Sequence, residues 1–166
     1  MNVVWFKKDF RIDDHAPLHQ ALQQGPICAL VILEPSILST IEFGPAKYQF
    51  MSDAIIGLRQ LINNVGGQLI IRTGEAVQVL QQLHQYTPIQ QLFSHQETGT
   101  MQTYERDIAV RQWCNTHRIT WHEYPQFGVI RGLKNRDGWA KQWEHLMNQP
   151  VIPSPNQIPS IPMSNP

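Results

Sequence analysis

Short apolar runs of strand length alternate along this chain with segments whose apolar residues recur every three or four positions. Residues 3–6 and 26–33 are such runs, and they bracket a segment over 16–24 that reads as a helix, with Pro17 suited to its first turn and Gly25 to its stop. The clearest helical stripe is Met51, Ala54, Ile55, Leu58, Leu61, Ile62 and Val65, closed by Gly66 and Gly67. A strand over 68–72 follows, then an amphipathic helix through Ala76, Val79, Leu80 and Leu83 that ends before Pro88. A fourth strand over 89–94, a helix over Met101–Thr116 and a fifth strand over 119–124 complete the series. Strands that alternate with helices predict parallel crossover units, packed as a three-layer α/β sandwich around one sheet.

The last stretch breaks this rhythm. Six of the seventeen residues from Pro150 to Pro166 are proline (Pro150, Pro153, Pro155, Pro159, Pro162 and Pro166), mixed with Ser and Asn, so residues 150–166 read as a semi-extended linker and residues 1–149 as one domain. A length of 166 residues agrees with a single core. Thirteen Lys and Arg balance thirteen Asp and Glu, so no global field draws the chain to nucleic acid or anionic lipid. No apolar run approaches the roughly 20 residues of a membrane span. Cys28 and Cys114 have no metal or redox spacing and read as small buried side chains in a reducing cytoplasm.

In an open parallel sheet, ligands sit outside the carboxyl ends of the strands. The first such loop here, Lys7-Lys8-Asp9-Phe10-Arg11-Ile12-Asp13-Asp14-His15, contains no glycine. Its backbone therefore lacks the close approach to pyrophosphate that dinucleotide oxidoreductases and P-loop proteins need, and both classes are excluded. A phosphoacceptor module fits no better, because the third strand runs into Arg72-Thr73-Gly74 and not into an acidic acceptor.

The residues from Trp5 to Leu18, Trp-Phe-Lys-Lys-Asp-Phe-Arg-Ile-Asp-Asp-His-Ala-Pro-Leu, resemble the opening signature of the cryptochrome/DNA photolyase family, with Lys7-Lys8 in place of the commoner Arg-Arg and His15 where Asn is usual. Ile32-Leu33-Glu34-Pro35 is similar to that family's second strand end, Glu97-Thr98-Gly99 and Tyr104-Glu105-Arg106-Asp107 to its acidic fourth strand end and following helix, and Gln126-Phe127-Gly128-Val129-Ile130-Arg131 with Arg136-Asp137-Gly138-Trp139 to a bacterial branch of it. The resemblance implies a Rossmann-like domain whose five parallel strands lie in the order 3-2-1-4-5. It also implies a light-harvesting or scaffold domain of a cryptochrome or deoxyribodipyrimidine photolyase-like flavoprotein. The partner is then a C-terminal helical domain of the same protein that binds FAD and, in a photolyase, DNA. The linker leads toward that domain, the parent is a photolyase-type lyase or a blue-light sensor, and the chain by itself is not catalytic.

An accessory pigment of folate, deazaflavin or FMN type needs an apolar slot with a few placed polar groups. Lys8, Asp9, Phe10, Arg11, Glu34 and Glu97 fall on the expected rim: Arg11 to hold an anionic tail, Phe10 to line the slot, a carboxylate to accept from a ring nitrogen. The same charges, Lys8, Asp9, Arg11 and Asp13, read as well as an ion-pair network that fixes the loop or docks the other domain. The rival to the whole resemblance is a free-standing nucleotide-binding or interaction module of similar topology.

His15 and His19 stand four apart on the first helix, a spacing that chelates metals, but without a third ligand nearby they read as surface histidines and no metal site is assigned. His95 and His122-Glu123 end strands and read as loop-orienting groups. Trp139, Trp143, Leu146 and Met147 mark one face of a short helix, expected to pack on the sheet or on the flavin domain. Arg131, Lys134, Arg136 and Lys141, interleaved with Asp137 and Glu144, read as a solvated face.

Overall fold

The computed structural model describes residues 1–40, 43–129, 131 and 135–161. Ile130, Lys134, Pro162 and Pro166, singled out above, lie outside the described residues. The five strands are β1 (Asn2–Phe6), β2 (Ile27–Leu33), β3 (Leu69–Thr73), β4 (Gln91–His95) and β5 (Thr120–Tyr124). They form one all-parallel sheet in the order β3-β2-β1-β4-β5, the order that the resemblance implied. Register follows from the pleat: Trp5 lies opposite Leu30, and Val4 opposite both Ala29 and Phe93.

The central strand is wholly buried, and its side chains alternate between two cores. Val3 and Trp5 face one, with Val79, Leu80 and Leu83 of α4 (Ala76–Tyr86) and Val110, Trp113 and Cys114 of α5 (Met101–Thr116). Val4 and Phe6 face the other, with Leu18 and Ala21 of α1 (Ala16–Leu22) and Ile55, Leu58 and Ile62 of α3 (Pro45–Asn64). Both cysteines are buried, and burial pushes their thiols up, Cys28 to about 12 and Cys114 to about 11.

Two helical pieces escape the periodicity. The short α2 (Pro35–Leu38) has no buried residue, and α3 begins at Pro45, a full turn and more before Met51, because residues 45–50 are exposed and leave no apolar stripe to read. In each case a proline occupies the first helical turn, where its missing N–H costs nothing. Of the two packings expected for the last helix, α6 (Trp139–Met147), the one on the sheet is not what the structure shows. The helix lies against the segment after β5: the Trp139 indole donates to the Gly128 carbonyl at 2.9 Å, and a Cβ at Gly128 would run into the Trp143 ring. Trp139, Trp143 and Met147 each remain about 40–45% exposed.

The proline-rich end is extended, as its composition requires, yet it is packed. Ile152 exchanges hydrogen bonds with Asp14, the Ile158 amide donates to the Val65 carbonyl, and the Pro159 carbonyl and the Ile161 amide pair with Ile27 at the start of β2. Ser160 bridges to Ile27 in parallel register, and its hydroxyl accepts from the Gln68 amide. The Ile158 side chain is fully buried in the core of α1 and α3, pressed against Gly67, where no side chain has room. Residues 152–161 are thus a strap that runs from the β1–α1 loop at Asp14 to the amino end of β2.

Replacing Ile158 with Ala is expected to destabilise the chain by about 2–5 kcal/mol, whereas Val151→Ala, at a site 75% exposed, should stay within about 0.5 kcal/mol. Urea unfolding of both variants checks this, and equal midpoints would show that the strap is not part of the fold.

Candidate functional site

The loop between β1 and α1 turns without glycine because a carboxylate holds it. Asp9 Oδ1 accepts the backbone amides of Lys7 at 2.8 Å and Lys8 at 3.2 Å, while Oδ2 meets His15 Nε2 at 2.8 Å and His95 Nδ1, at the end of β4, at 2.5 Å. Asp14 takes a positive φ of 44° just before the helix, a conformation its short polar side chain tolerates. His15 is the N-cap of α1: its Nδ1 accepts from the Leu18 amide at 3.1 Å. That bond leaves the proton on Nε2, so His15 is a neutral imidazole that donates to Asp9.

His15 is therefore buried and not the surface histidine the sequence suggested, while His19 is exposed. Asp9, His15 and His95 offer atoms within 4.8 Å of one another, the right donor types for a metal. The N-cap bond decides against it, since an Nε2 that carries a proton donates and does not ligate. The hydrogen bonds from His15 and His95 hold the Asp9 carboxyl far below the usual carboxylate range in spite of its burial. Burial keeps the His15 pKa below its ordinary value, with Asp9 pulling the other way.

Beside this staple, charged side chains cover the carboxyl rim of the sheet. Lys7 is about 5% exposed; its ammonium lies 3.3 Å from Asp107 and over the rings of Trp5 and Trp121, at 4.9 and 5.3 Å from their centroids. Burial lowers its pKa, and Asp107 opposes the shift. Arg106 Nη1 donates to Glu34 Oε2 at 2.8 Å, Nη2 reaches Asp107 at 2.9 Å and Glu97 at 3.6 Å, and the guanidinium carbon sits 4.8 Å from the Trp5 centroid. Burial alone would lower the Arg106 pKa, but Glu34 and Asp107 outweigh it and raise it. Lys8 pairs with Glu97 at 2.7 Å. Arg131 binds Glu123 at 3.0 Å, Asp107 at 3.2 Å and the Glu97 carbonyl, and Arg111 pairs with Glu123, so Arg131 is a tie across the rim and not part of a solvated face.

Of the six residues that the sequence marks as cofactor-binding, the structure brings three together. Lys8, Glu34 and Glu97 line one rim cavity of about 60 Å³ with Trp5, Arg106 and the apolar wall of Leu38, Phe43 and Met51. Asp9 lines a neighbouring cavity of about 90 Å³ with His95 and Gln126. Phe10 packs on the α1 and α3 core, and the Arg11 guanidinium donates to the carbonyls of Asp13 and Asp14; neither lines these cavities. A larger apolar groove of about 500 Å³ lies between Phe127 and Val129 and the Trp143 face of α6, and it shares Phe127 with the Asp9 cavity.

The reading from sequence missed Arg106, Asp107 and Arg131 as site residues. Thr103, Asp107, Val110 and Cys114 recur at helical spacing and are buried, so a carboxylate on an inward stripe was the available signal. Glu34 carries the main anomaly. Its Oε1 is buried and accepts no well-formed hydrogen bond among the described residues, and burial raises the pKa of the carboxyl against the pull of Arg106 and of the Ala76 amide beside it.

Comparison with known proteins agrees on one family. The family model of DNA photolyase matches residues 2–129. The cryptochrome DASH of Gloeobacter violaceus is 25% identical over 181 aligned residues, which take in 99% of this chain and 36% of that protein. Another cryptochrome DASH, from Synechocystis sp., matches over 21% of its length, so the chain spans about a third or less of these relatives. Among solved structures, the Synechocystis cryptochrome superposes with a TM-score of 0.80 at 22% identity, covering 99% of this chain and 38% of that one. An archaeal photolyase from Sulfolobus tokodaii, described with two FAD molecules and the implication of a novel light-harvesting cofactor, gives 0.75 at 17% identity over 95% of this chain and 38% of its own. At these identities the structures establish the fold.

The staple makes stability depend on pH. Asp9, with its depressed pKa, contributes above the unfolded value of 3.8 and loses its contribution as pH falls below it. His15 is protonated more readily unfolded than folded, so its share is lost as pH falls below 6.5. His15→Asn removes that titration, and the variant is expected to lose less stability between pH 7 and 5 than the unaltered chain. Parallel curves of melting temperature against pH would refute the assignment.

Proposed function

The chain belongs to the DNA photolyase family and has the N-terminal α/β domain of photolyases and cryptochromes, and on that premise we propose that it serves as the scaffold and pigment-holding domain of a light-driven flavoprotein. FAD and, in a repair enzyme, lesion-bearing DNA belong to a partner domain of the whole protein, reached by the chain that follows the strap. The residues that would relay electrons or receive a flipped base belong to that domain, so this chain alone performs no repair.

Glu34 Oε1 carries the pigment part of this reading. A buried carboxylate oxygen that accepts no well-formed hydrogen bond among the described residues, on a side chain that lines the rim cavity together with Trp5 and apolar groups, is an acceptor for a ring N–H donor. Lys8, whose side chain is half exposed, is placed to meet an anionic tail at the mouth. The donor set therefore fits a folate, deazaflavin or flavin, which would supply near-ultraviolet or blue absorbance when bound. The space does not yet suffice: about 60 Å³ is well under the ~300 Å³ of the smallest ordinary ligand pockets, so the rim has to open. A free-standing nucleotide-binding module is the weaker reading, since the loop has no glycine to admit a pyrophosphate.

Two assays test the proposal. The purified chain, mixed with each pigment in turn, should quench the emission of one of them. Glu34→Gln should weaken that binding about tenfold or more, as expected for one hydrogen bond to a charged acceptor. A pigment bound with unchanged affinity by the variant would remove Glu34 from the site, and light-dependent repair by the chain alone would overturn the division of labour.

A further inference from the structure

Arg106 does to the rim what a bound ring would do. Its guanidinium is planar, lies 4.8 Å from the centroid of the Trp5 ring and donates to a carboxylate on each of its amino nitrogens, Glu34 at 2.8 Å from Nη1 and Asp107 at 2.9 Å from Nη2, with Glu97 a further 3.6 Å from Nη2. Its side chain is 11% exposed. A flat, N–H-bearing group stacked on an aromatic floor and bonded to acids is also the description of a pterin or flavin ring edge.

We propose that Arg106 is the gate of the rim cavity: its own guanidinium fills the stacking place on Trp5, and a planar ligand binds only when Arg106 leaves that ring. This rests on the pigment reading above and adds to it the residue that decides whether the slot is open. Three observations carry it. The cavity beside Arg106 is too small for any polycyclic ring while Arg106 stays in place. An arginine dedicated to Glu34 would bond both carboxylate oxygens, but Arg106 engages Oε2 alone and leaves Oε1 without a well-formed hydrogen bond among the described residues, on a side chain that lines the cavity. Leu38, Phe43 and Met51, which also line the cavity, are apolar, so the polar side-chain bonds that hold its described lining together are those of Arg106 and of the Lys8–Glu97 pair. When Arg106 swings away, Lys7 stays beside Asp107 and Lys8 beside Glu97, so two of the three acids keep a cation and Glu34 is freed for the ligand.

The test uses the whole chain, with FMN and folic acid as probes and methylguanidinium as a stand-in for the missing side chain. The unaltered chain, Arg106→Ala and Arg106→Gln are each titrated with both pigments by fluorescence quenching, and each is melted with and without millimolar methylguanidinium. Arg106→Ala should bind one pigment at least tenfold more tightly than the unaltered chain. Methylguanidinium, but not methylammonium, should raise its melting temperature and compete with the pigment. Arg106→Gln keeps two N–H donors for the acids but little stacking surface; it should bind with intermediate affinity, and it carries the test if the alanine variant does not fold. Equal pigment affinity with and without the arginine would overturn the gate and leave the pigment site standing. No binding by any of the three would overturn both, and an alanine variant indifferent to methylguanidinium would show that the guanidinium does not fill a ligand's place.

Discussion

One carboxylate holds the site together. The turn behind β1 must reverse the chain at the edge of a parallel sheet, and without glycine it cannot do so by visiting unusual backbone conformations at every step. Asp9 supplies the missing order: one oxygen gathers two successive amides, and the other joins the residue that caps the next helix to the end of β4. Because His15 also caps α1, the same few atoms fix a turn, a helix start and the spacing of β1 from β4. The positions of Lys7 and Lys8, and through them of Asp107 and Glu97, are set by this staple.

The rim built on it is dense in charge, yet the chain as a whole is neutral. Lys7, Lys8, Arg106, Arg111 and Arg131 meet Glu34, Glu97, Asp107 and Glu123, several of them almost wholly buried. Such pairs contribute little net stability, because desolvation offsets most of the attraction, but removing one partner strands the other at a cost of several kcal/mol. Their value lies in specifying one arrangement of α5 and of the segment after β5 against the sheet. Aromatic rings add to this, since Trp5 and Trp121 each face two cations, of which Lys7 and Arg106 are largely withdrawn from water.

What could be read from the chain depended on whether the cause was local. Strand and helix alternation was legible because burial on both faces makes apolar runs, and amphipathic faces make three- and four-residue stripes; the strand order came from the resemblance of the Trp5 to Leu18 segment and not from any periodicity. The first turns of α3 stayed invisible because residues 45–50 are exposed and pack against nothing that would select apolar side chains. His15 looked solvated in its run of acids, since its burial depends on His95, eighty residues away in sequence. Arg131 looked the same, and its partners Glu123 and Asp107 lie on β5 and α5. Proline content pointed to a linker over 150–166; that residues 152–161 are anchored on the domain depends on Ile158 and on partners at Asp14, Ile27, Val65 and Gln68 that are distant in sequence.

The strap has a mechanical corollary. Whatever is joined after residue 161 is tethered at the amino-terminal edge of the sheet, beside Ile27, on the far side from the ionic rim. Tension along the chain from that end would first load the bonds at Ile27, Val65 and Gln68 and the socket of Ile158, and after them the bonds of Ile152 to Asp14, the neighbour of His15 in the staple. The strap thus ties the amino edge of the sheet to the very turn that shapes the charged rim.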